Sequence, residues 1–315
     1  MKNILITGAT GLVATELAIH LLHDTNANLL LVSNHIDELQ CREYAQNARA
    51  ACVVLEDLEK FVKEHNISID ICIHTAFARS GNGNLIVSSI DYLQKVLSVV
   101  KSLHIHTFVN ISSQSVYGKI TPPLWTEDSP LDPDYLYAMG KFASERVTEL
   151  MLRDSDVRWT NIRLCSVCEN ARFVKVFVQN ALDGKEIHLT APDQGCSFID
   201  VRDVADALTA FVKQESDVRL EAVYNLGANQ QYTVEEIAQM VKSIGESRYC
   251  ASPVSISKET SDNHTRIGMD SSKFMTVFGW HPKYSMRDMI ISMFEMLKNP
   301  NGGGYPISFK LVYKL

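Results

Sequence analysis

Residues 3–14 read Asn3-Ile4-Leu5-Ile6-Thr7-Gly8-Ala9-Thr10-Gly11-Leu12-Val13-Ala14. The apolar run Ile4 to Ile6 is too short for the core of a signal peptide or for a membrane span, and it reads as a buried first strand. Gly8 would permit the tight turn that follows, and Gly11 would let a ligand approach the backbone. Ala14 stands where a small side chain lets a helix pack closely on a strand. A helix that starts at Leu12 leaves N–H groups free at its N-terminus, where its dipole favours an anion. A lone glycine pattern is a weak signal. With a strand before it and a helix after it, the pattern points to the pyrophosphate of a dinucleotide.

The rest of the first half continues this rhythm. Strands are expected at Asn3–Thr7, Asn28–Ser33, Ala51–Leu55, Ile69–Thr75 and Thr107–Ser112. Helices are expected at Leu12–His23, Ile36–Ala48, Leu58–His65 and Leu85–Leu103. Each strand is short, apolar on both faces and bounded by polar residues, as strands buried in a parallel sheet are. Strand–helix alternation implies right-handed crossovers and an α/β, doubly wound sheet. Helix Tyr137–Leu152 and strand Trp159–Leu164 extend the series. Further on, Phe173–Leu182, Val201–Lys213 and Ser285–Leu297 read as helices, Ile187–Thr190 and Val223–Leu226 as strands, and polar residues 245–267 as a loop. Thr233-Val-Glu-Glu236 has the spacing of a helix capping box.

Bulk properties narrow the possibilities. The chain has 315 residues, 46% hydrophobic and 21% charged, with a net charge of −7. Neither the total nor any local run of Lys and Arg offers the basic face of a nucleic-acid or anionic-membrane binder. The seven cysteines are odd in number and scattered, which argues for reduced thiols in a cytosol. Cys165 and Cys168 have no second ligand pair at zinc spacing, so no metal site is expected.

Strand Phe108–Ser113 breaks into Gln114-Ser115-Val116-Tyr117-Gly118, and Tyr137-Ala-Met-Gly-Lys141 follows on a helix. Tyr137 and Lys141 would lie one turn apart on one helix face. An ammonium beside a phenol favours phenolate, and a phenol so tuned exchanges a proton with a carbinol or ketone near neutral pH. A Ser at the neighbouring strand end can hydrogen-bond the same oxygen. Together they would polarise a carbonyl for hydride delivery by a nicotinamide.

With these residues in view, the chain resembles the extended short-chain dehydrogenase/reductases, in the NAD(P)-dependent epimerase/dehydratase branch that acts on nucleotide sugars. Besides the two motifs, Ser112-Ser-Gln-Ser-Val-Tyr-Gly118, His74-Thr-Ala76, Phe198-Ile-Asp-Val-Arg-Asp-Val-Ala205, Val223-Tyr-Asn-Leu-Gly227 and Phe278-Gly-Trp-His-Pro282 are similar to its landmarks. The resemblance implies a Rossmann-type doubly wound parallel sheet with a smaller C-terminal substrate lobe. It implies a catalytic set of Ser113, Tyr137 and Lys141, with Lys141 also holding the nicotinamide ribose. Gly8, Thr10, Gly11, Leu12 and Val13 would line the pyrophosphate, Ser33 and Asn34 the adenosine ribose, and Asp57 and Leu58 the adenine. Thr75, Ala76 and Phe77 would pass beneath the cofactor. Ser115 and Arg266 would touch substrate, Arg266 at its phosphates.

The second strand ends Leu31-Val-Ser-Asn-His35, without the carboxylate that would bond the ribose hydroxyls of NAD. This favours NADP(H), with NAD as the alternative. Dehydratases of the branch carry Asp-Glu after the catalytic Ser, and epimerase-reductases carry a Cys. Gln114 and Ser115 disfavour both. What remains is simple hydride exchange: a 4-ketoreductase, or a 4-epimerase that oxidises and re-reduces. A non-catalytic dinucleotide sensor is the reading from another class, against which stand the retained Tyr137 and Lys141.

After Arg163 the branch usually continues Asn-x-Tyr-Gly-Pro and a loop, whereas this chain runs Ser166-Val-Cys-Glu-Asn-Ala-Arg172 straight into a helix. The expected organisation is a dinucleotide domain at 1–165, rejoined by 198–226, a substrate lobe at 166–197 and 227–298, and a tail at 299–315. A cytoplasmic homodimer paired through the helices near 85–103 and 137–152 is expected, serving surface-polysaccharide biosynthesis.

Overall fold

Seven short apolar runs pair into one parallel sheet: β1 Asn3–Thr7, β2 Asn28–Val32, β3 Ala50–Val53, β4 Ile71–His74, β5 Thr107–Ser113, β6 Arg158–Leu164 and β7 Val223–Leu226. Their spatial order is β7-β6-β5-β4-β1-β2-β3. The chain therefore runs outward from β1 in one direction, returns, and runs outward from β4 in the other. That reversal leaves a crevice above the carboxyl ends of β1 and β4, where ligands bind in sheets of this kind. The structure is a computed structural model and describes residues 1–118, 124–250 and 252–299. The rest of the expected C-terminal tail, 300–315, lies outside the described residues.

The helices are α1 Leu12–Asp24, α2 Ile36–Gln40, α3 Leu55–Glu64, α4 Gly83–Ser102, α5 Leu136–Leu152, α6 Arg172–Leu182, α7 Val201–Gln214, α8 Val234–Arg248, α9 Ser272–Phe278 and α10 Met286–Lys298. Alternation along β1 sends Ile4 and Ile6 to one sheet face, where they meet Leu17 and Leu21 of α1 and Val204, Leu208 and Phe211 of α7. Leu5 goes to the other face, with Leu58 of α3 and Leu93, Val96 and Val100 of α4. Burial on both faces is why these strands read as continuous apolar runs. A separate core joins Phe177 and Val178 of α6, Ile237 and Val241 of α8, and Ile290 and Phe294 of α10. This is the smaller lobe.

Four details differ from the sequence expectation. The helix expected over Ile36–Ala48 stops at Gln40, and a 3-10 turn, Glu43–Gln46, replaces its end. The break turns Tyr44 inward, so that its hydroxyl donates to the Ala9 carbonyl at 2.8 Å beneath the glycine turn. Helix α3 begins at Leu55 and not Leu58. Part of the 245–267 loop is ordered: α8 runs on to Arg248, and Ile256–Lys258 pairs in parallel with Ile187–Leu189. Met269, Phe274, Phe278 and Trp280 join the core of the main sheet, so the chain leaves the smaller lobe once more than expected. Thr233 and Glu236 form the expected capping box. Among the described residues, no helix is long and apolar enough to cross a membrane.

Candidate active site

The crevice is built around the glycine turn. Gly8 adopts φ +72°, and a Cβ placed on it would lie 2.8 Å from both the N and the Cα of Ala76. The ends of β1 and β4 approach so closely that only glycine fits there. Gly11 N–H donates to the Gly8 carbonyl at 2.9 Å. Gly11 is also the N-cap of α1. It makes no side-chain cap, and the first turn of α1 has no acid. The leading N–H groups of α1 are thus left for a ligand, and Gly11, Leu12 and Val13 line the cleft. This donor set fits the pyrophosphate of a dinucleotide.

Phe77 lines two cavities. One, of about 590 Å³, is lined by Gly8, Thr10, Ser33, Asn34, Ala76 and Phe77, with Lys95 of α4 on its wall. The other, of about 710 Å³, is lined by Thr75, Phe77, Arg79, Ser113, Ser115, Tyr137 and Lys141. Most of the expected cofactor residues meet in this pair of cavities. Asp57 and Leu58 do not. Because α3 starts early, Leu58 faces inward and is fully buried in the core, while Asp57 is exposed in the first turn of the helix.

Ser113 ends β5, and its Oγ accepts the Ser115 N–H at 3.2 Å. Tyr137, in the first turn of α5, lines the same cleft as Ser113. Burial raises the phenol of Tyr137 above its ordinary value, opposed by the charge of Arg79 and by the neighbouring Ser113 hydroxyl. Lys141 is buried, and burial pulls its ammonium down to about 7 against the attraction of Glu145. Its Nζ donates to the Ile111 carbonyl at 2.8 Å and lies 4.2 Å from the ring centroid of Phe77. Lys141 Nζ also lies 6.0 Å from the ring centroid of Tyr137. The ammonium is drawn under Phe77 to a backbone carbonyl, and the charge of Arg79 opposes the rise of Tyr137. Arg79 escaped the sequence reading because it lies in an irregular loop, at no spacing that ties it to Tyr137.

A buried network anchors these elements. Arg163 of β6 donates to both carboxylate oxygens of Glu145 on α5, at 3.0 and 2.8 Å, and to Tyr117 Oη at 2.9 Å. Ser112 Oγ donates to Glu145 at 2.6 Å, and the Tyr117 hydroxyl donates to Asn225 Oδ1 of β7 at 2.7 Å. The ends of β5, β6 and β7 are thereby locked to α5, which carries Tyr137 and Lys141.

On the lobe side, a third cavity of about 560 Å³ is lined by Phe173, Phe177 and Phe198 together with Arg79 and Arg172. Gln114 and Ser166 line both this cavity and the catalytic cleft. Arg266 is exposed and bridges to Gly195, while its neighbour Ile267 lines both cavities. Glu169, in the shortened segment, is buried beside Asp200 and accepts the Val201 N–H at 3.2 Å. Cys165 and Cys168 are buried free thiols, and burial pushes Cys165 up to about 12.

Comparison with known proteins agrees with this architecture. The chain is 23% identical to a dTDP-glucose 4,6-dehydratase of Haemophilus influenzae, over 90% of this chain and 94% of that protein. Among solved structures, a UDP-glucuronic acid 4-epimerase from Bacillus cereus in complex with NAD superposes with a TM-score of 0.78 at 19% identity, covering 95% of this chain and 100% of that one. A dTDP-glucose 4,6-dehydratase from Bacillus anthracis in complex with NAD gives a TM-score of 0.76 at 20% identity, covering 95% and 97%. The NAD dependent epimerase/dehydratase family matches residues 4–227. The chain belongs to that family.

Proposed function

We propose that this protein is an NAD(P)-dependent oxidoreductase that exchanges hydride at a carbinol or ketone carbon of a nucleotide-activated sugar, acting as a 4-ketoreductase. One observation carries the reading. Ser113, Tyr137 and Lys141 share a cleft with a free helix N-terminus, and the two residues after Ser113 are Gln114 and Ser115, neither of them a carboxylate. A bound dinucleotide supplies or accepts the hydride. The residues of the chain manage the carbonyl. Tyr137 gives its phenolic proton to the ketone oxygen, Ser113 donates a hydrogen bond to the same oxygen, and Lys141 holds the ribose end of the cofactor. The Phe173–Phe177–Phe198 cavity would take an apolar base face, with phosphates between Arg79 and Arg172.

Incubation with NADPH, NADH and a panel of 4-keto-6-deoxy nucleotide sugars tests this. Cofactor oxidation by at least one sugar is expected, and none with any of them sinks the reductase. Inversion of a UDP-sugar without net redox would establish the epimerase alternative, which the same trio could serve. The missing carboxylate at Ser33–His35 and the presence of Lys95 in that cavity favour a 2′-phosphate, whereas the solved relatives above carry NAD. The two cofactors in parallel assays decide. Leu85 and Val87 of α4 and Leu136, Met139 and Leu150 of α5 are exposed apolar side chains on helices that pack together. They support a homodimer through α4 and α5, which monomeric sedimentation at micromolar concentration would contradict. A cytosolic place in surface-polysaccharide assembly follows from the same reading.

A further inference from the structure

We propose that Gln114 and Ser115 form a hydrogen-bonding pair for a donor group of the substrate, a hydroxyl or amide N–H one or two carbons from the reacting carbon, and that they hold this group without reacting with it. The inference rests on the nucleotide-sugar reading above. Gln114 opens the 3-10 turn that follows β5, and its side chain is 5% exposed. Its Nε2 donates to Ser166 Oγ at 2.8 Å, which fixes the amide and leaves Oε1 buried without a hydrogen bond. Ser115 Oγ is likewise buried without one. Native proteins rarely leave such atoms unpaired, because a buried polar group without a partner is costly. Here two of them occur on consecutive residues, both lining the cleft that holds Ser113 and Tyr137.

The chemistry of the pair defines the ligand. An amide oxygen only accepts, so the group it meets must be a donor. A hydroxyl accepts or donates, so Ser115 can complete the bonding of a hydroxyl or an acylamino group. Neither side chain titrates in the working range, so neither can protonate a leaving group. The recognised substituent is therefore retained. Gln114 and Ser115 follow Ser113 directly, in the 3-10 turn it caps, and line the same cleft, so with Ser113 at the reacting oxygen they stand beside the neighbouring carbons. A site built to bond a substrate hydroxyl discriminates strongly against an analogue lacking it.

The test uses the holoenzyme and a nucleotide sugar that it turns over, with analogues in which single sugar hydroxyls are replaced by fluorine, which cannot donate. Calorimetric Kd and kcat/KM are measured for the natural protein, Gln114→Met and Ser115→Ala. The natural protein should lose at least about tenfold in kcat/KM on one analogue. Gln114→Met should show the same loss on the parent sugar and lose nothing further on that analogue. Ser115→Ala removes only a hydroxyl, and gives the same comparison should Gln114→Met fail to fold. Equal losses on parent and analogues, or no loss at all, would overturn the proposal. If the natural protein neither binds nor converts any nucleotide sugar, the underlying reading fails, and this one with it.

Discussion

Lys141 Nζ lies 6.0 Å from the ring centroid of Tyr137 and donates to the carbonyl of Ile111 at 2.8 Å. A buried ammonium held by one carbonyl loses its proton readily, and burial takes it from 10.5 to about 7. The sign of its effect on stability follows. Above its folded value the native state holds a neutral amine, while the unfolded chain still binds the proton. Stability from this group is therefore fully present above pH 10.5 and is lost as pH falls through about 7. The urea midpoint of the natural protein minus that of Lys141→Met should rise across that interval, by an amount equivalent to at most a few kcal/mol. A flat difference would mean that Lys141 is not held in this environment.

The charge of Arg79 opposes the rise that burial imposes on Tyr137. Arg79→Met should raise the phenol and move the alkaline limb of kcat/KM for ketone reduction to higher pH. The shift should be below about one unit, since the guanidinium is exposed. Tyr137→Phe should lower kcat by roughly 10²–10⁴-fold with the fold retained. If Arg79→Met leaves the limb in place, the charge of Arg79 does not reach the phenol.

The elements legible in the sequence were those with a single, local physical cause. Strands β1, β2, β4 and β5 announce themselves because both faces are buried, and Thr233–Glu236 because a capping box is a contiguous pattern. The glycine turn is legible because φ +72° at Gly8 excludes other residues. Ser113, Tyr137 and Lys141 were legible as a set through spacing and resemblance. Arg79, Tyr44 and Lys95 were not, because each reaches its cavity or turn through tertiary placement alone. Asp57 and Leu58 lie outside the lining of both cavities, and a motif match could not register that α3 starts at Leu55. The pairing of Ile256–Lys258 was hidden in a polar run whose partner lies at Ile187–Leu189, far along the chain.

The contact between Gly8 and Ala76 gives a structural prediction. Alanine at position 8 would put a methyl carbon 2.8 Å from the backbone of Ala76 at a positive φ. The left-handed conformation alone costs about 1–2 kcal/mol for a non-glycine residue, and the overlap adds to it. Gly8→Ala should therefore lower the urea midpoint and weaken dinucleotide binding by calorimetry, as β1 and β4 are forced apart at the switch point. Gly184, also at positive φ but with open space around it, is the control. Gly184→Ala should cost only the conformational part and leave cofactor affinity unchanged.

Glu169, in the segment that runs straight into α6, lies buried beside Asp200. Burial and the charge of Asp200 hold its carboxyl above the ordinary 4.5, although the Val201 N–H at the start of α7 favours its ionised form. A raised carboxyl contributes stability that is complete below 4.5 and is lost as pH rises through its folded value, because the unfolded chain gives up the proton first. Arg202 offsets part of this by neutralising Asp200 at 2.6 Å. The natural protein should thus lose stability between about pH 5 and pH 8, and Glu169→Gln should flatten that loss. The amide keeps the shape and can still accept from Val201, so the variant isolates the charge. Because Glu169 joins Ser166–Val167 to the cavity wall at Asn170 and Ala171, its ionisation should also loosen the substrate side. Hydrogen exchange at residues 166–172 should quicken with pH beyond the intrinsic rate in the natural protein, but not in Glu169→Gln. Equal exchange in both would show that the Glu169–Asp200 pair does not govern this wall of the site.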